Sequence, residues 1–429
     1  MLGLTVLDNE LIYFRVHVHI KPISVSISRK YNYMNLQFLT AFCFASFASQ
    51  PYASTQLPAN STSIKLKQVI RHADNQDFEV ANPRDAWLTD ENALLIVSGD
   101  SNSLSIFNSS KHHAFTYSQS FSKQHDKSAS LEGASSISFL KDADIAIVSA
   151  FYSGSLSTFK LDDKGQFNHI ETVSDHLDIK QAFTAYQDLK DRDVFGLVGA
   201  WGTHLNRDNQ HLYVASYQSN SVSEFKVRET GQLSALGRLL PKYDWGRPTS
   251  ITQSKNTDWL YINGFEQSKI SVLSKTSEGK FAVTQTIQHD KNGVKSMLNP
   301  QQLIVTPDNH YLFVAASKSN AINVFKKDTS GHLNLHQVIT NEQTQGLSGA
   351  CCMAFSDNQN ALFVAGETDK GILIFDFTPS TGKLKFRQHI TEFNRHQLMG
   401  VSSLRLSEDE KQLVVTTGKN NEIFILSLD

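Results

Sequence analysis

Three cysteines, nine prolines and no long apolar run characterise this 429-residue chain by scarcity. The most membrane-like stretch, residues 38–48 (FLTAFCFASFA), has 11 residues, whereas a bilayer-crossing helix needs about 20. No transmembrane segment is therefore expected. Lys and Arg number 40 against 42 Asp and Glu, a formal net charge of −2. A chain so balanced lacks the basic field that condenses on phosphate backbones, which excludes DNA and RNA as expected partners. Cys351 and Cys352 are neighbours, so they cannot staple distant parts of a fold, and no CxxC spacing accompanies them. They are expected to pack as two small residues in a strand, with a redox-active vicinal pair as the alternative. No Walker, GxGxxG, HExxH or EF-hand pattern occurs, and the 16 histidines are scattered, with the His112–His113 pair in an exposed turn. No metal and no cofactor are expected. What is present is 40% apolar residues with 27 Phe and 12 Tyr, enough for a large core and suited to strands, where aromatic rings pack on pleated surfaces.

Residues 38–48 have the length of a signal-peptide core, with Ser46 and Ala48 placed for cleavage. Met34 offers a start just upstream. A start there puts no Lys or Arg before the apolar run, whereas a longer leader supplies Arg29 and Lys30. The expected division is an upstream extension plus signal peptide at 1–48, the cleavable signal spanning about 34–48, then a flexible lead-in at 49–63. Export to the periplasm or beyond the cell follows.

From residue 64 onward one pattern recurs seven times. Its anchors are LIVS at Leu95, AIVS at Ala146, LYVA at Leu212, LYIN at Leu260, LFVA at Leu312 and Leu362, and LVVT at Leu413. Each anchor follows a polar turn and an earlier strand, and precedes a third strand such as LSIF or INVF. In five units a turn holding Gly165, Gly231, Gly279, Gly331 or Gly382 leads into a fourth strand. Four short strands at a period near 50 predict an all-β, seven-bladed β-propeller, because a lone four-stranded sheet exposes both faces and a ring of them buries both. The seventh unit ends after its third strand. Residues 64–70 (IKLKQVI) match the fourth-strand segment LNLHQVI at 333–339 and share its Gln-Val-Ile, so the N-terminal strand is expected to complete the last blade. Residues 64–429 then form a single propeller domain, with an insertion at 174–197 marked by the 66-residue spacing between anchors two and three. Ile179, Ala182, Phe183, Tyr186 and Leu189 give that insertion helical spacing, and Asp175 or Asp178 is placed to cap it. A lid, a docking surface and a gap-filling helix are all compatible with it.

The phrase TPDNHYLFVAASKSNAINVFKKD and the TSGHL and STGKL turns resemble the seven-bladed lactonase-like propellers, the family of bacterial 6-phosphogluconolactonase and carboxymuconate cyclase. The resemblance covers residues 64–429. It implies hydrolysis of a sugar or carboxylated lactone at the channel mouth; separately, the chain is expected to be a monomer. Family members often carry Gly-Pro-Arg-His or His-Pro where the inner strand begins; here those places read NPRD at 82–85, GRPT at 246–249 and NPQQ at 299–302.

Inner strands start at one mouth of a propeller channel, where the loops between blades also gather. Lactone hydrolysis needs a base for water and a cation or donors for the oxyanion. Glu132 and His204 are the candidate bases. Arg84, Arg247, Trp201, Gln301 and His396 are the candidate substrate-binding residues, the arginines offering bidentate contacts to carboxylate or phosphate. The competing expectation is a non-catalytic propeller holding a protein or glycan partner through the same mouth and the 174–197 insertion.

Overall fold

The computed structural model describes residues 63–90, 93–109, 114–124, 129–254, 257–329 and 331–428. The signal segment expected at 34–48, Cys43 and the His112–His113 pair lie outside them. Of seven four-stranded antiparallel sheets, six follow one another along the chain in simple sequential order, and the seventh joins the first strand to the last three. Their inner strands are Pro83–Leu88, Ala134–Leu140, Ala200–Leu205, Ile251–Gln253, Pro300–Val305, Ala350–Ser356 and Val401–Leu406, heading blades one to seven in turn.

Burial falls from the middle of each blade outward. The second strands, which carry the anchors, are almost wholly buried, as Ala93–Ser98 and Tyr311–Ala316 illustrate. Sandwiched on both faces, they read as short continuous apolar runs rather than as alternation. Fourth strands such as Thr116–Phe121 are mostly half-exposed. Seven apolar clusters hold the ring together, one between each pair of neighbouring blades. The cluster that joins the last blade to the first contains Ile70, Ala86, Leu94, Val414 and Ile425.

Ring closure is made by the N-terminal strand, as the sequence predicts. Ile64–Arg71 lies antiparallel to Glu422–Leu428, with Ile64 opposite Leu428 and Arg71 opposite Glu422. This strand covers what would otherwise be a bare sheet edge. The shared Gln-Val-Ile acquires a physical reason here. Gln68 donates to the Phe115 carbonyl at 2.9 Å and accepts from the Phe115 amide at 2.7 Å, clasping the fourth strand of the next blade. Gln337 makes the same two bonds to Leu384, and Gln119 and Gln285 repeat them with Phe167 and Leu333.

Between blades two and three run two short helices, Ile179–Thr184 and Tyr186–Leu189. Asp178 caps the first, its carboxylate accepting from the Gln181 amide at 2.8 Å. Asp175 instead receives the Phe195 amide at 3.0 Å. The segment is fastened to blade three by the buried Asp193 carboxylate, which accepts from Tyr186 and from Ser219, each at 2.6 Å, and pairs with Arg238 at 3.2 Å. Burial and that carboxylate push the Tyr186 phenol up to about 12. No helix among the described residues is long and apolar enough to cross a membrane.

Candidate functional site

A register shift recurs at the mouth end of six inner strands. Pairing skips a residue between Pro83 and Asp85, Ala134 and Ser136, Ala200 and Gly202, Pro300 and Gln302, Ala350 and Cys352, and Val401 and Ser403. A β-bulge of this kind breaks the strict alternation of side chains and re-aims the extra residue. Consecutive residues therefore line the channel in each of these blades: Arg84 with Asp85, Ser135 with Ser136, Gln301 with Gln302. Blade four differs. Its inner strand has only three residues, and the buried Asn263 side chain replaces the missing ladder by accepting from the amides of Thr249 and Ser250 at 2.9 and 2.7 Å.

The same bulge brings Cys351 and Cys352 together on the channel wall, where their sulfurs are joined as a vicinal disulfide. This corrects the expectation of two separately packed thiols. Strand alternation would have sent neighbouring side chains to opposite faces, and the bulge removes that separation.

The channel encloses about 440 Å³. At its blade-one wall Asp85 is buried and multiply bonded. Arg405 grips it with two hydrogen bonds of 2.8 and 2.7 Å, Ser403 donates at 2.9 Å and the Ile137 amide at 3.2 Å. One carboxylate thus ties blade seven, blade one and blade two. Burial opposes the charge on Arg405, but Asp85 outweighs it and holds the guanidinium above its usual value. The guanidinium also lies 5.5 Å from the centroid of the Trp87 ring. His204, from the inner strand of blade three, also lines the channel, with no hydrogen bond to its ring among the described residues. Burial, and then the charge of Arg405, push its pKa down to about 4. The imidazole is neutral throughout the physiological range.

Of the candidate residues, Arg84, Trp201, Gln301 and His204 line this channel together. Arg84 is loosely held, its guanidinium 3.4 Å from Glu367. Glu132, Arg247 and His396 do not line it. Glu132 turns to Lys123 and to Ser130 at 3.0 Å; burial raises its pKa, yet the Lys123 contact, a backbone amide and Ser130 bring it below the usual value. A carboxylate held ionised against a lysine outside the channel is badly placed to activate water there. Arg247 is spent on carbonyl oxygens, donating to Tyr217 at 3.1 Å and Gln218 at 2.6 Å, and borders a separate cavity beneath the insertion. His396 lies 3.6 Å from Glu422, in the short hairpin preceding the last inner strand. Sequence reasoning placed all three by their distance from an inner strand, and distance along a loop does not fix where a side chain points. The Asp85–Arg405 pair was missed because its members stand 320 residues apart.

A family model described as "Lactonase, 7-bladed beta-propeller" matches residues 201–429, more than half the chain. No curated protein matches. Among solved structures, the periplasmic gluconolactonase of Pseudomonas aeruginosa aligns with a TM-score of 0.58 at 14% identity, covering 74% of this chain and 86% of its own. A protein from Lactobacillus plantarum aligns with 0.59 at 17% identity over 75% of this chain and 87% of its own. Virginiamycin B lyase of Staphylococcus aureus aligns with 0.56 at 11% over 86% of this chain and 100% of its own. At such identities the likeness is one of fold.

Proposed function

This chain belongs to the lactonase family of seven-bladed β-propellers, and from that premise we propose that its channel opens a sugar or carboxylated lactone. The observation that carries the reading is the His204 imidazole, without a hydrogen bond to its ring among the described residues, on a channel that Arg84, Gln301 and Arg405 line from other blades. In the proposed reaction His204 takes a proton from water as the oxygen attacks the lactone carbonyl. Negative charge on the tetrahedral oxygen is met by Arg84 and the Gln301 amide. The ring C–O bond then breaks, and the imidazolium returns its proton to the departing alkoxide, which leaves a hydroxy acid. A pKa near 4 keeps the imidazole unprotonated but makes it a weak base, since general-base catalysis is strongest when the pKa lies near the operating pH. That property favours a second reading, a propeller that holds a glycan in this channel without turning it over.

The two readings part in a hydrolysis assay on a panel of aldonolactones, with His204→Ala and Arg84→Ala beside the parent. Turnover abolished by His204→Ala supports the first. Absence of turnover on every lactone, with saturable binding of the corresponding acids, supports the second. The proposed setting is periplasmic or secreted. The signal-like run at 38–48 supports it, as does the joined Cys351–Cys352 pair, because disulfides persist in oxidising compartments. N-terminal sequencing of the cellular protein tests it, and an intact residue 1 overturns it.

A further inference from the structure

Beside the channel mouth, between blades one, two and three, lies a separate recess of about 220 Å³. It shares Arg84, Ser135 and Trp201 with the channel, and its further border includes Asn82, Asp100, Phe151 and Tyr152. Its aromatic side is continuous. Phe151 meets Trp201 edge-on at 5.4 Å and Tyr152 edge-on at 5.3 Å, and the insertion helix adds Phe183 at 5.1 Å from Phe151 and 5.6 Å from Tyr152. Phe151 and Tyr152 belong to a loop, Phe183 to the insertion and Trp201 to the start of the blade-three inner strand, and none of the four is in the clusters that join the blades.

Tyr152 is 51% exposed, yet it is held. Its ring lies over Gly133, where an added Cβ would come within 2.5 Å of the ring and where φ is +70°. Phe151 and Phe183 meet it edge-on. A large aromatic surface presented to solvent in one fixed orientation is a preorganised binding element. The polar side is acidic and basic at once. Asp100 receives Asn82 at 2.9 Å on one carboxylate oxygen, and Arg84 stands at the junction with the channel.

We infer that this recess is a subsite for a sugar ring, so that the ligand of the channel is glycosylated rather than a single phosphorylated monosaccharide. The inference rests on the reading of the channel as an aldonolactone or aldonic acid site. Sugar rings carry an apolar C–H face and a rim of hydroxyls. Tyr152 and Trp201 supply the apolar partner; Asp100 accepts from hydroxyls and Arg84 donates to them. The insertion then has a reason: it carries Phe183, which braces the platform from outside the propeller ring.

The test is calorimetric binding of cellobionate, gluconate and neutral cellobiose to the full chain, with Tyr152→Ala and Tyr152→Phe variants. Cellobionate is expected to bind about five- to tenfold more tightly than gluconate, the scale of one good aromatic contact. Tyr152→Ala is expected to collapse that ratio to near one and to weaken cellobiose, while Tyr152→Phe keeps both. Equal affinities for the two acids in the parent overturn the proposal, as does a loss in Tyr152→Phe as large as in Tyr152→Ala. A Tyr152-dependent preference without hydrolysis of any lactone supports the subsite and sinks the catalytic reading. Hydrolysis with no preference for the glycosylated lactone does the reverse.

Discussion

Replacing Arg405 by Met would strand the Asp85 carboxylate, whose side chain is only 7% accessible, while the guanidinium it loses is 36% accessible to channel water. Breaking a buried ion pair by removing one partner costs about 3–5 kcal/mol. Asp85 would keep the Ser403 hydroxyl and the Ile137 amide as donors, which places the expected loss near the lower end, about 3 kcal/mol. Unfolding entropy of roughly 2.1 cal/mol/K per residue over some 365 residues is about 0.8 kcal/mol/K, so the midpoint falls by roughly 4 °C. Adding Asp85→Asn removes the stranded charge and is expected to restore at least about 1 kcal/mol, since a double change that deletes both charges relieves the desolvation penalty. Urea unfolding of the four species of this cycle reads both quantities. A loss under about 1 kcal/mol for Arg405→Met, or a double variant less stable than Arg405→Met alone, would refute the assignment of the pair as the clasp across the closing seam.

His204, with a pKa of about 4 folded against about 6.5 in an unfolded chain, binds fewer protons in the native state. Its contribution to stability is therefore present above pH 6.5 and is lost as pH falls toward 4. His204→Gln should flatten that part of the stability–pH curve, and an unchanged slope counts against the assignment. Arg405→Met is expected to raise the imidazole pKa without taking it above 6.5, because burial is the larger cause; titration by NMR reads this. Deleting the chain through Arg71 should bare the Glu422–Leu428 edge and yield oligomers on size exclusion, whereas a monomer of unchanged melting temperature would contradict the closure. Alkylation without reductant should leave Cys351 and Cys352 unmodified and label both after reduction; labelling before reduction would show that the sulfurs are not joined.

The ring was legible because its signals are local and repeated: buried second strands, polar turns, and a fourth-strand pattern duplicated at 64–70. The deep channel layer was also legible, since Trp87, His204 and Arg405 hold equivalent places in their inner strands and all three line the channel. The bulges were not. A skipped pairing depends on the hydrogen-bond register of the neighbouring strand, and residues such as Ser135 and Cys351 carry no local mark of it. Glu132, Arg247 and His396 lie outside the channel lining for a related reason. Each finds its partner on another strand or loop, Lys123, the Tyr217 and Gln218 carbonyls and Glu422, and those encounters exist only once the blades are assembled.

The strand that closes the ring also sets a timetable. Ile64–Arg71 is synthesised roughly 350 residues ahead of the strand it pairs with, which at about 5–20 residues per second is a wait of some 20–70 s. During that time its apolar positions have no partner, and every blade already made belongs to an open arc. The alternating lysines of IKLKQVI put charge on this waiting segment, as gatekeeper residues do for strands awaiting a mate. Completion of the fold is thereby tied to the strand Glu422–Leu428, and a product that stops short of it would carry most of seven blades' worth of sequence and no ring.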